Sequence, residues 1–516
     1  MDCLAENGTV GLILSAKTLT NDQVEEWRKR FFCGVRVRRV TNFANLAYII
    51  FPSAQAPCMT LIYTKRKSDE SPGNILHFGP FVANQQVTVP QRGSKRRAWS
   101  IGFSESEIKV LPESRAATGK ALVWKQALWA GVRDEAVLRK LHNIFSTTLG
   151  KIAGERDWRI ALGLQLRPDC GTKDDPNDEV LDESGRNVLD GLKILNHKAF
   201  VKSKGLVIDS RFIADNTFGT FIRRRGGTSG LSLIKGPRLL LWNDFAAYSD
   251  KPFIIQHSKV GIAGGSATEM KAVAAIWNSS FVAYLLFFVL SSDWGIGYNL
   301  IDKGDAENLP FPEWTPERQK GLCEAWESSA ELEKQGADFS EVKALLDEKV
   351  AAVLGLPSSV ALVVGEFFRV RYQLNKGKNP PSLRQQPDEH ELTAYASRLR
   401  DELDGFLGGK AHHRIVVLHS SHGICTSVTI SKNSKPITIE VRQAKGDEAK
   451  TLKSLLEAAE AKYSQWAYVK RSVRLFDGDI IHLIKPPRRL EWTETQAMLD
   501  ADDIIAEGIE SNRTGA

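Results

Sequence analysis

The stretch that most constrains the fold runs from Gly8 to Tyr63, where a strand, a helix and two further strands follow closely. Residues Thr9 to Leu14 form a near-continuous apolar run, which is typical of a strand covered on both faces. In Gln23 to Phe32, apolar residues recur at helical spacing behind polar capping residues. Val37 to Phe43 and Cys58 to Tyr63 are rich in β-branched and aromatic residues, as strands are. This order predicts the last third of a doubly wound α/β domain that ends in a strand pair.

Length and composition set wide bounds on the class of protein. The 516 residues are enough for three or four domains with ample core. The formal net charge of +7 is a mild basic excess, which is compatible with a polyanionic partner but does not require one. The six cysteines form no CxxC pair, which favours reduced thiols. No positively charged leader precedes an apolar segment at the amino terminus, so we expect a cytoplasmic protein.

One apolar run, Ala272 to Leu290, could be mistaken for a membrane span. Asn278, Ser279 and Ser280 interrupt it. The uninterrupted part is about half of the ~20 residues that a bilayer requires. We therefore predict a helix of the protein core and no membrane partner.

Three segments carry a resemblance to a known family. GTVGLILSAKTL, WRKRFF and IIFPSAQAPCMTLIYTK follow one another in residues 8–65, and this order resembles the carboxy-terminal half of the catalytic domain of adenine-N6 DNA methyltransferases. In that family, the preceding sequence supplies a glycine-rich loop for S-adenosylmethionine and an Asn/Asp-Pro-Pro-aromatic catalytic loop. Here the chain begins at Met1, a few residues before the first strand. The resemblance therefore implies a split enzyme in which a second methyltransferase chain carries the cofactor and catalytic motifs, and the lone chain is inactive.

Phe51 is the candidate catalytic residue. An enzyme that methylates a base must flip it out of the duplex and hold it against flat or apolar surfaces. The resemblance implies that Phe51, in a Phe-Pro turn before a strand, stacks on the extruded adenine. An ordinary core phenylalanine is the alternative for this residue.

Residues 236–312 resemble the target-recognition domains of such methylases, those of phage-exclusion and type II restriction-modification systems in particular. The resemblance lies in Gly236 to Leu241, Ala274 to Ser280 and Leu309 to Pro312. Basic side chains in and near this region have the reach for phosphates or guanine edges of double-stranded DNA. For each of these basic side chains, the alternative to a DNA contact is a place in a solvated turn or linker. The predicted DNA-binding residues of this region are Arg223, Arg224, Arg225, Lys235 and Arg238. Arg96 and Arg97, in a separate basic loop from Gln91 to Arg97, are predicted phosphate contacts.

Four histidines close in sequence raise the question of a metal site. They are His412, His413, His419 and His422. The segment between the two pairs reads as a strand, which sends alternate side chains to opposite faces. We therefore predict no metal ligand set.

The expected fold class is α/β, with the carboxy-terminal part of a Rossmann-like methyltransferase sheet at the start. An α+β target-recognition domain, helices and a small α/β tail domain follow. The predicted function is the DNA-recognition subunit of a split S-adenosylmethionine-dependent adenine-N6 methyltransferase of a restriction-modification or phage-defence system. A non-catalytic DNA-binding specificity subunit of a defence complex is the alternative. The five predicted regions are residues 1–67 (catalytic part), 68–200 (connecting region), 201–315 (target recognition), 316–384 (helices) and 385–516 (tail domain).

Overall fold

The chain has a mixed α/β fold with several sheets, as the sequence predicted. The computed structural model describes residues 5, 8–46, 57–67, 70–80, 82–91, 94–104, 107–167, 189–218, 221–222, 228–243, 245–289, 301–372, 385–408, 410–431, 439–459, 461–464, 467–470 and 472–514. These residues group into two compact units. The first unit takes the described residues of 1–135 and 365–516, and the second those of 136–294 and 298–364.

The strands of the described chain, in order, are β1 (Thr9–Ser15), β2 (Val35–Asn42), β3 (Cys58–Lys65), β4 (Asn74–Phe78), β5 (Val82–Gln91), β6 (Ser94–Ser104), β7 (Ile108–Pro112), β8 (Thr147–Thr148), β9 (Arg159–Leu162), β10 (Leu166–Arg167), β11 (Ile194–Leu195), β12 (Ile213–Ala214), β13 (Phe221–Ile222), β14 (Arg238–Leu241), β15 (Ala246–Ser249), β16 (Val260–Ala263), β17 (Pro310–Phe311), β18 (His412–His419), β19 (Ile424–Ser431), β20 (Glu440–Gln443), β21 (Ala461–Ser464), β22 (Ala467–Lys470), β23 (Val473–Asp477) and β24 (Ile480–Lys485).

The α-helices of the described chain are α1 (Lys17–Thr20), α2 (Glu25–Gly34), α3 (Glu113–Ala116), α4 (Ala121–Trp129), α5 (Val132–Ile144), α6 (Leu149–Glu155), α7 (His197–Ser203), α8 (Ala267–Asn278), α9 (Ser280–Val289), α10 (Lys303–Glu307), α11 (Pro316–Lys334), α12 (Phe339–Leu354), α13 (Ser358–Glu366), α14 (Glu389–Phe406), α15 (Asp447–Ala459) and α16 (Glu494–Thr514). A π-helical turn, Phe367–Arg371, follows α13.

The first unit contains a five-stranded sheet of order β1-β3-β2-β4-β7. Strand β3 is antiparallel to both of its neighbours, so β1 and β2 run in the same direction and α2 connects them. The predicted succession of a strand, a helix and two strands is confirmed. The core of this sheet is apolar and includes Val37, Leu61 and Trp124.

Strand β1 departs from the prediction in its burial. The sequence predicted cover on both faces, but β1 is an edge strand with Leu12 36% and Ile13 69% exposed. The reason is that β1 pairs with β3 alone among the described residues. The sheet also continues beyond residue 67, where the sequence predicted a domain edge, because β4 and β7 extend it.

The segment predicted as a hairpin between residues 77 and 89 is shifted. Strand β4 belongs to the first sheet, and the hairpin is formed by β5 and β6. Arg96 and Arg97, predicted on a loop, lie within β6 opposite Val89 and Thr88.

The first unit contains two further sheets, a four-stranded one of order β21-β22-β6-β5 and a second five-stranded one of order β20-β18-β19-β24-β23. Helices α14 and α16 pack together against this five-stranded sheet and bury Tyr395 and Trp492. The helix predicted from Ala449 to Trp466 is wrong in its second half, since α15 ends at Ala459 and the strands β21 and β22 follow.

The second unit is built on the antiparallel sheet β15-β14-β16-β9. The apolar runs Gly205 to Ile208 and Phe253 to Ile255 predict strands, but they form isolated bridges, because each meets a neighbour at a single residue. The sequence also predicts one helix from Thr268 to about Ser291, whereas the structure has two helices, α8 and α9, bent by 64°. In the described chain no single helix has the length and apolar character of a membrane span; only this bent pair has both together.

Candidate nucleic-acid interface

Phe51 lies outside the described residues, in the gap 47–56 that precedes β3. The described chain on each side of this gap is hydrogen-bonded at the carboxyl ends of β1 and β2. On the β1 side, the N–H of Ala16 donates to the carbonyl of Pro57 at 2.8 Å. On the β2 side, the N–H of Phe43 donates to the carbonyl of Cys58 at 3.0 Å. Open α/β sheets bind ligands at the carboxyl ends of their parallel strands, so both anchors lie at the edge of the sheet where such a site is expected.

Two buried asparagines, which the sequence analysis missed, lie at the same edge. Asn42 accepts a hydrogen bond from the N–H of Ala44 at 3.0 Å, and Asn45 accepts one from the Trp129 indole at 3.1 Å. Within the part of the chain that the structure describes, the buried amide nitrogen of each side chain has no hydrogen-bond partner. Buried amides are normally paired, so each of these donors calls for an acceptor outside the described residues. The signal was an asparagine at the end of the predicted strand Val37 to Phe43 and a second asparagine two residues beyond it.

Arg238 does not face solvent, which corrects its predicted role as a DNA contact. Its guanidinium donates to the carbonyls of Ile234, at 2.7 Å, and Lys251, and lies 4.1 Å from the centre of the Phe253 ring. Burial lowers the pKa of Arg238 to about 10. The side chain therefore stabilises the turn before β14, and we withdraw it from the predicted DNA-binding set.

The other predicted cations of the second unit are placed differently. Lys235 is exposed in the turn between the 3-10 helix Thr228–Leu233 and β14. Arg223, Arg224 and Arg225 lie outside the described residues. The chain after them is held close to β9, since a Cβ at Gly230 would lie 2.6 Å from the carbonyl oxygen of Leu162. Glycine at residue 230 thus permits the 3-10 helix Thr228–Leu233 to approach the sheet closely.

A cavity of about 710 Å³ opens beside β9 in the second unit. Its rim carries three exposed cations, and buried side chains of α6, of β9 and of the connection between them form its floor. The rim includes Lys151, Arg159, Lys303 and Glu307, and the floor includes Trp158 and Ile160. One carboxylate against three cations makes the rim basic, which suits a polyanion.

Local structure fixes the positions of these cations. Thr148 caps α6 by accepting a hydrogen bond from the N–H of Lys151 at 3.2 Å. A Cβ at Gly150 would lie 2.8 Å from the carbonyl oxygen of Glu307, so this glycine lets α6 approach α10. Lys303 lies 3.4 Å from Glu307, whereas Lys151 and Arg159 form no ion pair with any described residue. Both are free to bind an anionic ligand.

The histidines of β18 contact a carboxylate. Asp404 lies 2.9 Å from Nδ1 of His412 and 2.8 Å from Nδ1 of His413, and it accepts the N–H of His413 at 2.8 Å. These hydrogen bonds lower the pKa of Asp404 in spite of its partial burial. The arrangement fixes the end of α14 to β18.

Comparisons with known proteins give two results. No protein-family model and no curated protein matches the chain. Among solved structures, the type IIG restriction endonuclease BpuSI aligns with a TM-score of 0.25 and 9% identity, over 69% of this chain and 48% of that chain. The type IIL restriction-modification enzyme MmeI, solved in complex with DNA, aligns with a TM-score of 0.36 and 11% identity, over 72% and 50%. The chain thus spans about half the length of each, and likeness at these scores carries no argument about function.

Proposed function

We propose that this chain is the DNA-recognition subunit of a split S-adenosylmethionine-dependent adenine-N6 DNA methyltransferase of a restriction-modification or phage-defence system. The proposal is supported by the two hydrogen bonds that hold the start of β3, directly after the segment with Phe51, at the carboxyl ends of β1 and β2. These two strands run in the same direction on either side of β3. Their carboxyl ends are where a base extruded from the duplex would meet an α/β catalytic sheet.

In this proposal, Phe51 stacks on the extruded adenine, and Asn42 and Asn45 offer hydrogen-bond donors at the same edge. Two amide donors fit acceptor atoms of a base or a cofactor, but they are too few to make a complete cofactor site. We therefore assign most contacts with S-adenosylmethionine, which supplies the methyl group, to a second methyltransferase chain. The residues of this chain act by orienting the base. Holding the reactants in the correct orientation accounts for a large part of the lowering of an activation barrier by an enzyme.

The second unit would bind the duplex in this proposal. Lys151 and Arg159 on the cavity rim, which form no ion pair with the residues that the structure describes, can neutralise phosphates. Lys235, exposed before β14, adds a third cation. The glycine-rich loop with Arg223, Arg224 and Arg225 supplies the base contacts. This division follows the general rule that phosphate contacts position a protein and base contacts specify the sequence.

The test is a methyl-transfer assay with this chain and the product of the adjacent reading frame, followed by sequencing of modified bases. We expect methylated adenine only when both proteins are present. Phe51→Ala should lower kcat by about 100-fold or more while DNA affinity stays within about twofold. Phe406→Ala, at an exposed aromatic of α14, is the matched control and should leave both unchanged.

The outcomes separate the two candidate functions. Sequence-specific DNA binding with no methyl transfer by the two proteins together would favour a non-catalytic specificity subunit. Methyl transfer that Phe51→Ala leaves unchanged would contradict the stacking role of this residue.

A further inference from the structure

The outer edge of β1 combines unpaired backbone with exposed apolar side chains. Among the described residues β1 pairs with β3 alone, so the N–H and C=O groups along its other edge have no ladder partner. The strand has seven residues, TVGLILS, without a charge or a proline. Charges, prolines and short strands are the usual protection of a sheet edge. Strand β1 has none of them.

The opposite edge of the same sheet has this protection. Strand β7 is five residues long and contains Lys109 and Pro112. Its one strongly exposed apolar residue, Val110, is 60% exposed, similar to Ile13 on β1. The two edges therefore differ in the features that prevent strand pairing, although each exposes an aliphatic side chain. The difference indicates that β1 is built to receive another strand.

Each face of β1 carries apolar side chains: Val10, Leu12 and Leu14 on one face, and Ile13, between the polar strand ends Thr9 and Ser15, on the other. Val10 lies opposite Tyr63, so Leu12 points to the same face, which α2 partly covers through Phe31. Trp27 of α2 stacks on Phe31 at 5.0 Å and is 42% exposed, which extends this apolar face beyond the strand. Ile13 points to the other face. Strands with two apolar faces belong to parallel sheets with helices on both sides, whereas a solvated hairpin strand has one polar face.

We infer that β1 docks a parallel strand of the second methyltransferase chain, together with the helices on both faces of that strand. This inference rests on the proposed function. The joined sheet places the carboxyl end of the docked strand beside the end of β1, next to the anchors of the Phe51 loop. Pairing along β1 would thus bring the partner's cofactor site to the flipped base.

The experiment uses the full chain and the product of the adjacent reading frame. Light scattering gives the stoichiometry, and hydrogen–deuterium exchange reports on Thr9–Ser15 in the free chain and in the complex. We expect a one-to-one complex in which alternate amides of β1 become protected. The double variant Leu12→Lys/Ile13→Lys should weaken the complex by at least about 30-fold, because it places two charges in an apolar strand interface. Val110→Lys on β7 is the matched control and should leave the affinity unchanged.

The possible results are distinct. The absence of a complex, a complex that survives the β1 double variant, or unprotected β1 amides would each overturn the inference. A homodimer that the β1 variant dissolves would also overturn it, since a second copy would then occupy the edge. A complex with β1 protection but without methyl transfer would leave this interface in place and refute the proposed function. Methyl transfer without β1 protection would support the proposed function and refute this interface. Thermal unfolding of the variants checks that each one folds.

Discussion

The side chain of Asn278 holds the backbone of Ala246 by two hydrogen bonds. Its Oδ1 accepts from the N–H of Ala246 at 2.9 Å, and its Nδ2 donates to the carbonyl of Ala246 at 2.8 Å. The same nitrogen donates to the carbonyl of Ala274 at 2.9 Å. The last residue of α8 thus pairs with the edge strand β15 as another strand would, and it does so inside the core.

Replacement of Asn278 by leucine should destabilise the second unit by about 2–4 kcal/mol, because it leaves the buried N–H and C=O of Ala246 unpaired. Urea unfolding measures the effect. Asn143→Leu, at an exposed position of α5, is the control and should change the free energy of unfolding by less than about 0.5 kcal/mol. A similar loss in both variants would contradict the role of the paired amide.

Buried His77 should make the first unit sensitive to acid. Burial, with the charge of Lys109, lowers the pKa of His77 from 6.5 to about 3, so the folded protein keeps the neutral ring while the unfolded chain takes up a proton. The stability that this residue contributes is complete above pH 6.5 and is lost as the pH falls toward 3, by up to about 1.4 kcal/mol per pH unit. His77→Leu should flatten the dependence between pH 6.5 and 4.5 in urea titrations. The variant His142→Leu, at an exposed residue of α5, should keep the wild-type slope.

Patterns of local sequence predicted the regular elements well. Apolar periodicity predicts helices over Gln23 to Phe32, Pro316 to Gln335 and Phe339 to Leu354, and each agrees with α2, α11 or α12 to within about two residues at either end. The Asn278-Ser279-Ser280 break was recognised as an interruption of an apolar helix. Its geometry was not predictable, because it depends on distant partners: Ser280 donates from its backbone and its hydroxyl to Asp347.

The site was harder to predict, since an arginine has the same local sequence signature in the core as on a surface. Arg238 was chosen for its charge, but the carbonyls of Ile234 and Lys251 and the ring of Phe253 enclose it. Lys151 and Arg159 were missed because their cavity joins segments far apart in sequence. The exposure of β1 was not predictable for a related reason. An apolar run indicates that a strand is suited to burial, but its neighbours in the sheet determine whether it is buried.

A buried ion pair in the first unit gives a third prediction. Lys485 contacts Asp500, and the Tyr395 hydroxyl donates to the same carboxylate at 2.5 Å. Lys485→Met leaves a buried carboxylate without its cation and should destabilise the unit by about 3–5 kcal/mol. Adding Asp500→Leu removes that charge and should recover a large part of the loss, by thermal unfolding at neutral pH. A double variant as unstable as the sum of the single variants would show that the two residues are not coupled, and it would contradict this account.

The cavity rim gives the prediction closest to function. Lys151→Ala and Arg159→Ala should each weaken binding of duplex DNA by roughly 3–10-fold and reduce the slope of log K against log salt by about one, because each removes one phosphate contact. The loss should be the same for cognate and unrelated sequences, since phosphate contacts carry no sequence information. Fluorescence anisotropy at several salt concentrations measures both quantities. Lys320→Ala, at an exposed cation of α11 that does not line the cavity, is the control. An unchanged salt slope in both rim variants would exclude the cavity from the DNA-binding surface and leave that role to Lys235 and the loop that precedes it.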